Sequence, residues 1–170
     1  MSTGKNNNLK MNKNGIEYIM ICEIYIDGAC QNAYVGNGSN NGGWCAIIKY
    51  GDKKRIIFGC DTNTTNNRME IMPLCNCLPE ILTRGITDIK IITDSMYVIY
   101  GLKGMKKWLR KKKEWPNQDL WRPLFKIIQQ YNPTISCQWV KGHAGHPENE
   151  ECNKIAEEQS KKVNIIGYKA

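Results

Sequence analysis

At 170 residues and 41% hydrophobic content, the chain suits one domain with an ordinary core and leaves no room for a second large one. Seven cations and no acid fall within residues 103–113, so this segment carries nearly all of the net charge of +8. No apolar stretch approaches the roughly 20 residues of a membrane span, and residues 1–14 are rich in Asn and Lys rather than apolar like a secretion signal; the expectation is an intracellular protein, cytoplasmic or nuclear, with no membrane partner.

In chain order, residues 1–16 read as a disordered polar tail, 17–163 as the folded domain and 164–170 as a C-terminal tail. Residues 17–26 are β-branched and aromatic enough for a central strand that ends at Asp27. A Gly- and Asn-rich loop follows over 31–43. Strands over 44–50 and 55–60 flank Gly51-Asp52-Lys53-Lys54 as a hairpin, which makes the first three strands antiparallel.

Residues 66–82 carry a helical apolar stripe closed by Gly85, but Pro73 and Pro79 predict a kink or a later start. A short buried strand over 88–93 and a helix from Ser95 to about 102 precede the basic segment. A helix from Asn117 to about Tyr131 is stopped by Asn132-Pro133; then come a strand over 134–140, a loop over 141–147 and a charged helix over 147–162. This order predicts an α/β fold: a mixed five-stranded sheet, three strands antiparallel then two parallel, with helices on both faces.

Eight cysteines lie mostly within apolar segments, so they read as buried free thiols. Cys75-Asn76-Cys77 lacks the spacer and second ligand pair of a structural zinc site. A run of cations is usually a solvated face. Here Trp108 interrupts it, and Trp115 and Trp121 follow, a mixture that suits phosphates, sugars and bases.

The chemistry centres on three acids: Asp27 in Tyr25-Ile26-Asp27-Gly28, Glu70 in the run from Thr64 to Glu70, and Asp94 in Ile92-Thr93-Asp94-Ser95. Each alone has an ordinary explanation, Asp-Gly as a turn and Thr-Asp-Ser as a helix cap. Together, two at strand ends and one just inside a helix, they fit a magnesium-dependent nuclease. Magnesium takes a few carboxylates and completes its shell with water and phosphate, and two such ions can activate water and stabilise a leaving oxygen.

These motifs resemble the type 1 ribonucleases H over residues 22 to 160, in that family's order: Asp27-Gly28, Gly42-Gly43-Trp44, Thr64 to Glu70, Thr93-Asp94-Ser95, Asp119-Leu120-Trp121, and Trp139 to His146. The resemblance implies the ribonuclease H-like fold and endonucleolytic cleavage of the RNA strand of RNA/DNA hybrids. Asp27, Glu70 and Asp94 would be metal ligands, and His143 would assist proton transfer or product release. It implies hybrid contacts for Cys30, Asn32, Thr65, Asn66, Asn67 and Asn117, with the two asparagines after Thr65 reaching the minor groove and its ribose 2′-hydroxyls. The basic segment, with Lys106, Lys107, Trp108 and Lys111, resembles the family's handle, which grips the DNA strand.

Four departures stand out. The family's fourth acid is replaced by Asn153, which can ligate or orient a water but brings no charge. Glu157 lies one helical turn further on and faces the same way. Met96 stands where many relatives are polar, the segment between Asp94 and Asp119 is short, and the 31–43 loop is enlarged, leaving Asn32 as the nearest match to the family's asparagine there. The expectation is a monomeric, hybrid-specific ribonuclease using two Mg2+ ions, with Mn2+ as a substitute, and giving 5′-phosphate and 3′-hydroxyl ends. The alternative is a hybrid-binding module weakened by Asn153; a polymerase-associated domain is disfavoured because no polymerase portion is present.

Overall fold

The computed structural model describes residues 7–12, 15–31, 40–111, 113–142 and 144–166. Its main sheet has five strands: β3 (Cys22–Gln31), β4 (Asn41–Tyr50), β5 (Lys53–Asp61), β6 (Asp88–Thr93) and β7 (Thr134–Trp139), in the order β5-β4-β3-β6-β7. β3 pairs antiparallel with β4 and parallel with β6; β4 and β5 are antiparallel, and β6 and β7 parallel. The mixed sheet expected from the sequence is the one observed.

Side-chain alternation assigns the two faces of that sheet. From β3, Cys22, Ile24 and Ile26 enter the larger core with Ala46 of β4, under α1 (Asn66–Thr83) and α4 (Gln118–Tyr131). From the opposite face, Tyr25, Cys45 and Ile47 pack with Cys152 and Ala156 of α5 (Pro147–Ile166). Burying apolar surface on both faces fixes the register, because a one-residue slip would turn these sets to the wrong sides.

Several expected boundaries shift. Residues 1–16 were expected to be disordered, yet β1 (Asn7–Asn12) pairs antiparallel with β2 (Gly15–Met20) in a separate two-stranded sheet. The adjoining apolar run is long enough for two strands, β2 and β3, and the second does not end at Asp27. It continues to Gln31 opposite Asn41, so Gly42 and Gly43 belong to β4 rather than to a loop. These glycines sit where helices crowd the sheet: a β-carbon on Gly42 would come within 2.5 Å of Met69 Cγ, and one on Gly43 within 2.1 Å of the Ala156 carbonyl oxygen.

α1 runs unbroken through Pro73 and Pro79 from an N-cap at Thr65, whose hydroxyl accepts from the Arg68 N–H. Each proline removes a backbone donor, but Pro73 is itself buried with Met69, Ile71, Leu74 and Leu78, and that packing offsets the loss. α2 (Met96–Lys103) is capped by Ser95, and the basic segment forms a short helix, α3 (Met105–Leu109). Among the described residues no helix is long and apolar enough to cross a membrane. The cysteines are free thiols, Cys22, Cys45, Cys77 and Cys152 being buried and Cys60 exposed; burial pushes the Cys22 thiol up to about 11.

Candidate active site

The parallel pairing of β3 with β6 ends at Tyr25 opposite Ile92. Asp27 and Asp94 each lie two positions further on, Asp27 still within β3 and Asp94 just past the end of β6, on neighbouring strands. They stand at the carboxyl end of the parallel strands, where open α/β sheets form their crevice. Trp139, at the end of β7, donates its indole N–H to the Asp94 carbonyl at 3.0 Å and fixes the backbone there.

Glu70 arrives from the first turns of α1. A β-carbon on Gly28 would come within 2.3 Å of the Met69 carbonyl carbon and 2.5 Å of the Glu70 nitrogen, so the helix backbone rests directly on the strand next to Asp27. The Glu70 carboxylate accepts from the Ser95 hydroxyl, which ties it to the start of α2, and from Asn66 Nδ2 at 2.8 Å. Three elements thus converge on one cluster of acids.

The electrostatics show how close they are. Asp27 is buried, and its carboxyl is pushed up to about 7, first by burial and then by Asp94, with smaller contributions from Glu70 and Glu157; the Gly28 N–H opposes the rise. That N–H donates to Asp27 Oδ1 at 2.8 Å, whereas Oδ2 is buried with no hydrogen-bond partner. Burial also raises Glu70, against the Ser95 hydrogen bond, with Asp94 adding to the rise. A buried acceptor facing other carboxylates is what a hard cation would relieve.

Among the described residues no three His, Cys, Asp or Glu side chains close into a ready metal cage. The oxygen donors fit magnesium even so, since that ion is ordinarily held by one or two carboxylates and keeps several waters. Asp27, Glu70 and Asp94 are the residues that could hold it.

The remaining expected residues fall around this cluster in different ways. Cys30 is half-buried, its Sγ donating to the Thr64 carbonyl at 3.6 Å. Thr65 and Asn67 are exposed at the helix entry, while the Asn66 amide is already engaged by Glu70. Asn117, with a positive φ of 58°, donates Nδ2 to the Tyr97 hydroxyl at 2.8 Å. Asn153 is half-buried on α5. Asn32 and His143 lie outside the described residues. Gly142 abuts the Asp94 carboxylate, and the Gly145 N–H donates to Glu150 Oε1 at 2.8 Å.

In the basic segment, Lys106, Lys107 and Lys111 are exposed. Trp108 was expected to meet nucleic acid, but it is half-buried, with its ring 5.1 Å from that of Trp115 and Lys111 Nζ 4.0 Å above it. It joins Tyr97, Tyr100, Trp115 and Trp121 around an apolar cleft of about 100 Å³. Sequence reasoning missed Arg68, which forms a bidentate pair with Asp119, at 2.9 and 2.7 Å, and reaches Asn117 Oδ1 at 3.4 Å. That link joins α1 to α4 beside the expected contacts Thr65 and Asn117, and only the shared motif order hinted at it.

A model of the RNase H family matches residues 20–161 of this chain. Ribonuclease H of Saccharopolyspora erythraea is 41% identical over 144 residues, covering 79% of this chain and 86% of that protein. Ribonuclease HI of Caulobacter vibrioides is 41% identical over 151 residues, covering 83% and 93%. Among solved structures, LC9-RNase H1, a type 1 RNase H with the type 2 active-site motif, aligns with a TM-score of 0.71 and 25% identity over 84% of this chain and 73% of that one. LC11-RNase H1, solved in complex with an RNA/DNA hybrid, aligns with a TM-score of 0.60 at 17% identity over 84% and 99%, a likeness of fold alone.

Proposed function

This chain belongs to the RNase H family of hydrolases, and we propose on that premise that it cuts the RNA strand of RNA/DNA hybrids to leave 5′-phosphate and 3′-hydroxyl ends. The observation that carries the proposal is the convergence of Asp27, Glu70 and Asp94 around a buried, unpartnered Asp27 Oδ2. Two divalent cations, magnesium or in its place manganese, would activate the attacking water and stabilise the leaving oxygen when bound. All three acids come from one chain, so a monomer suffices.

The chain's own groups supply position and charge. Gly28 N–H fixes one oxygen of Asp27 and leaves the other for a cation, while Ser95 and Asn66 orient Glu70. Asn67 and Asn66 stand at the helix entry, where an amide that both donates and accepts suits a ribose 2′-hydroxyl. Thr65 and Asn117, bracketing Arg68, would receive a DNA phosphate, and Cys30 would lie beside the hybrid. Lys106, Lys107 and Lys111 add positive charge along the DNA strand. His143, next in sequence to the Gly142 that abuts Asp94, would take or give a proton near neutral pH.

The test is cleavage of labelled RNA/DNA hybrid, duplex RNA and duplex DNA in Mg2+ and then in Mn2+. Selective cutting of the hybrid is expected. Binding of the hybrid without cutting under either ion would replace the enzyme with a hybrid-binding module.

A further inference from the structure

Glu70 and Asp94 belong to different elements, one inside α1 and the other just past β6, yet a single residue joins them. Ser95 follows Asp94 in the chain, and its hydroxyl donates to Glu70 Oε2. The direction of that bond is set from both ends. An ionised carboxylate can only accept, and the Ser95 oxygen already accepts from the Val98 N–H at 3.3 Å as the N-cap of α2.

The backbone that carries this hydroxyl is pinned. The Ser95 N–H donates to Thr93 Oγ1 at 3.0 Å, and the Asp94 carbonyl accepts from the Trp139 indole at 3.0 Å. The Val140 N–H donates to the Thr93 carbonyl at 3.0 Å, so the end of β7 holds residues 93 and 94 from one side while α2 begins on the other. Ser95 is only 6% exposed, which leaves little of it for a substrate to touch. Asn66 makes the contrast. Its bond to Glu70 Oε1 spans four positions of one helix, so it can turn the carboxylate but cannot tie α1 to another element.

We propose that Ser95 is a positioning residue whose hydroxyl ties Glu70 to Asp94 and sets the two carboxylates for a cation before one binds. The proposal rests on the hybrid-cleaving function above and adds to it the link between two of its acids. Groups that hydrogen-bond to metal-ligating carboxylates commonly change metal affinity or activity by about 10- to 100-fold when removed. A single neutral hydroxyl places the expected effect at the lower end.

The experiment is Mn2+ titration by calorimetry of the metal-free, substrate-free protein, in wild type, Ser95→Gly and Ser95→Ala, each with a thermal melt. Glycine serves as an N-cap almost as well as serine, whereas alanine does not. Ser95→Gly therefore removes the hydroxyl while sparing α2, and should melt close to wild type with Mn2+ affinity lowered by about tenfold. Ser95→Ala loses the cap as well and should melt lower, yet its Mn2+ affinity should match that of Ser95→Gly. On hybrid at saturating Mg2+, kcat of Ser95→Gly should fall while KM holds, because the hydroxyl acts through Glu70 and not on the substrate.

Wild-type Mn2+ affinity in a folded Ser95→Gly protein would overturn the assignment. A loss of affinity that tracks the melting temperature, large in Ser95→Ala and absent in Ser95→Gly, would reduce Ser95 to a helix cap. Mn2+ affinity that depends on Ser95 in a wild type that cuts no hybrid would sink the activity and leave Ser95 in its role. Hybrid cutting with Mn2+ affinity indifferent to Ser95 would do the reverse.

Discussion

Gly142 lies against the carboxylate of Asp94, so close that a β-carbon at position 142 would stand 2.6 Å from Oδ2. The loop after β7 therefore shares its space with a proposed metal ligand. Gly142→Ala should displace the Asp94 side chain rather than the backbone, because the atom it meets is the end of a movable group. Stability should change by less than about 1 kcal/mol, while kcat on hybrid falls by roughly 10- to 100-fold, the scale of a 1 Å misplacement. Steady-state kinetics with a parallel thermal melt would check this, and unchanged kcat would show that Asp94 tolerates the crowding.

Gly28 presents the opposite case. The β-carbon of Gly28→Ala would meet backbone atoms, Met69 C at 2.3 Å and Glu70 N at 2.5 Å, which cannot swing aside. β3 and α1 would have to separate, costing about 1–3 kcal/mol for an overpacked contact and pulling Asp27 away from Glu70. Urea unfolding should show a lowered midpoint together with lost cleavage. A midpoint equal to wild type would mean that the strand and helix are less tightly joined than the geometry says.

Much of this arrangement was legible in the sequence because it rests on local pattern. Asp94 directly follows the apolar run of β6, and Asp27 follows the buried apolar residues of β3 although that strand runs on to Gln31, so both announce themselves as acids set just after an apolar run. The glycines misled for a physical reason. Gly42 and Gly43 read as loop because glycine is a poor strand former, yet they are strand residues chosen by the close approach of α1 and α5, which no local pattern records. The Arg68–Asp119 pair spans 51 positions, and Trp108 turns inward to Trp115; both depend on how helices meet.

The basic helix should act through charge rather than through stacking. No residue of α3 is fully buried, so replacing Lys106 and Lys107 with Gln should leave stability within about 0.5 kcal/mol. If both lysines neutralise phosphates, the slope of log affinity against log salt should flatten by about 1.8, near 0.9 per lost contact. Trp108→Ala is the contrast: it should lower the melting temperature by removing the ring packed on Trp115. Hybrid-binding titrations across a salt series would decide, and an unaltered slope in the double lysine variant would remove these residues from the interface.

Asp27 should make the metal-free protein less stable as pH rises. Its carboxyl titrates at about 7 in the folded chain, against roughly 3.9 when unfolded, so between those values the folded state binds more protons. Stability then falls with increasing pH: the penalty is absent below about pH 4 and complete above about pH 7, on the order of 4 kcal/mol at 1.36 kcal/mol per unit. Asp27→Asn removes the buried charge, so in EDTA it should melt well above wild type at pH 8 and by roughly a third of that margin at pH 5. Mg2+ should stabilise wild type more at pH 8 than at pH 5, because below the folded value a proton competes for the same oxygens. A gap between variant and wild type that stays constant from pH 5 to pH 8 would show that burial among Asp94 and Glu70 does not burden Asp27. The reason to cast Oδ2 as a cation's acceptor would then be gone.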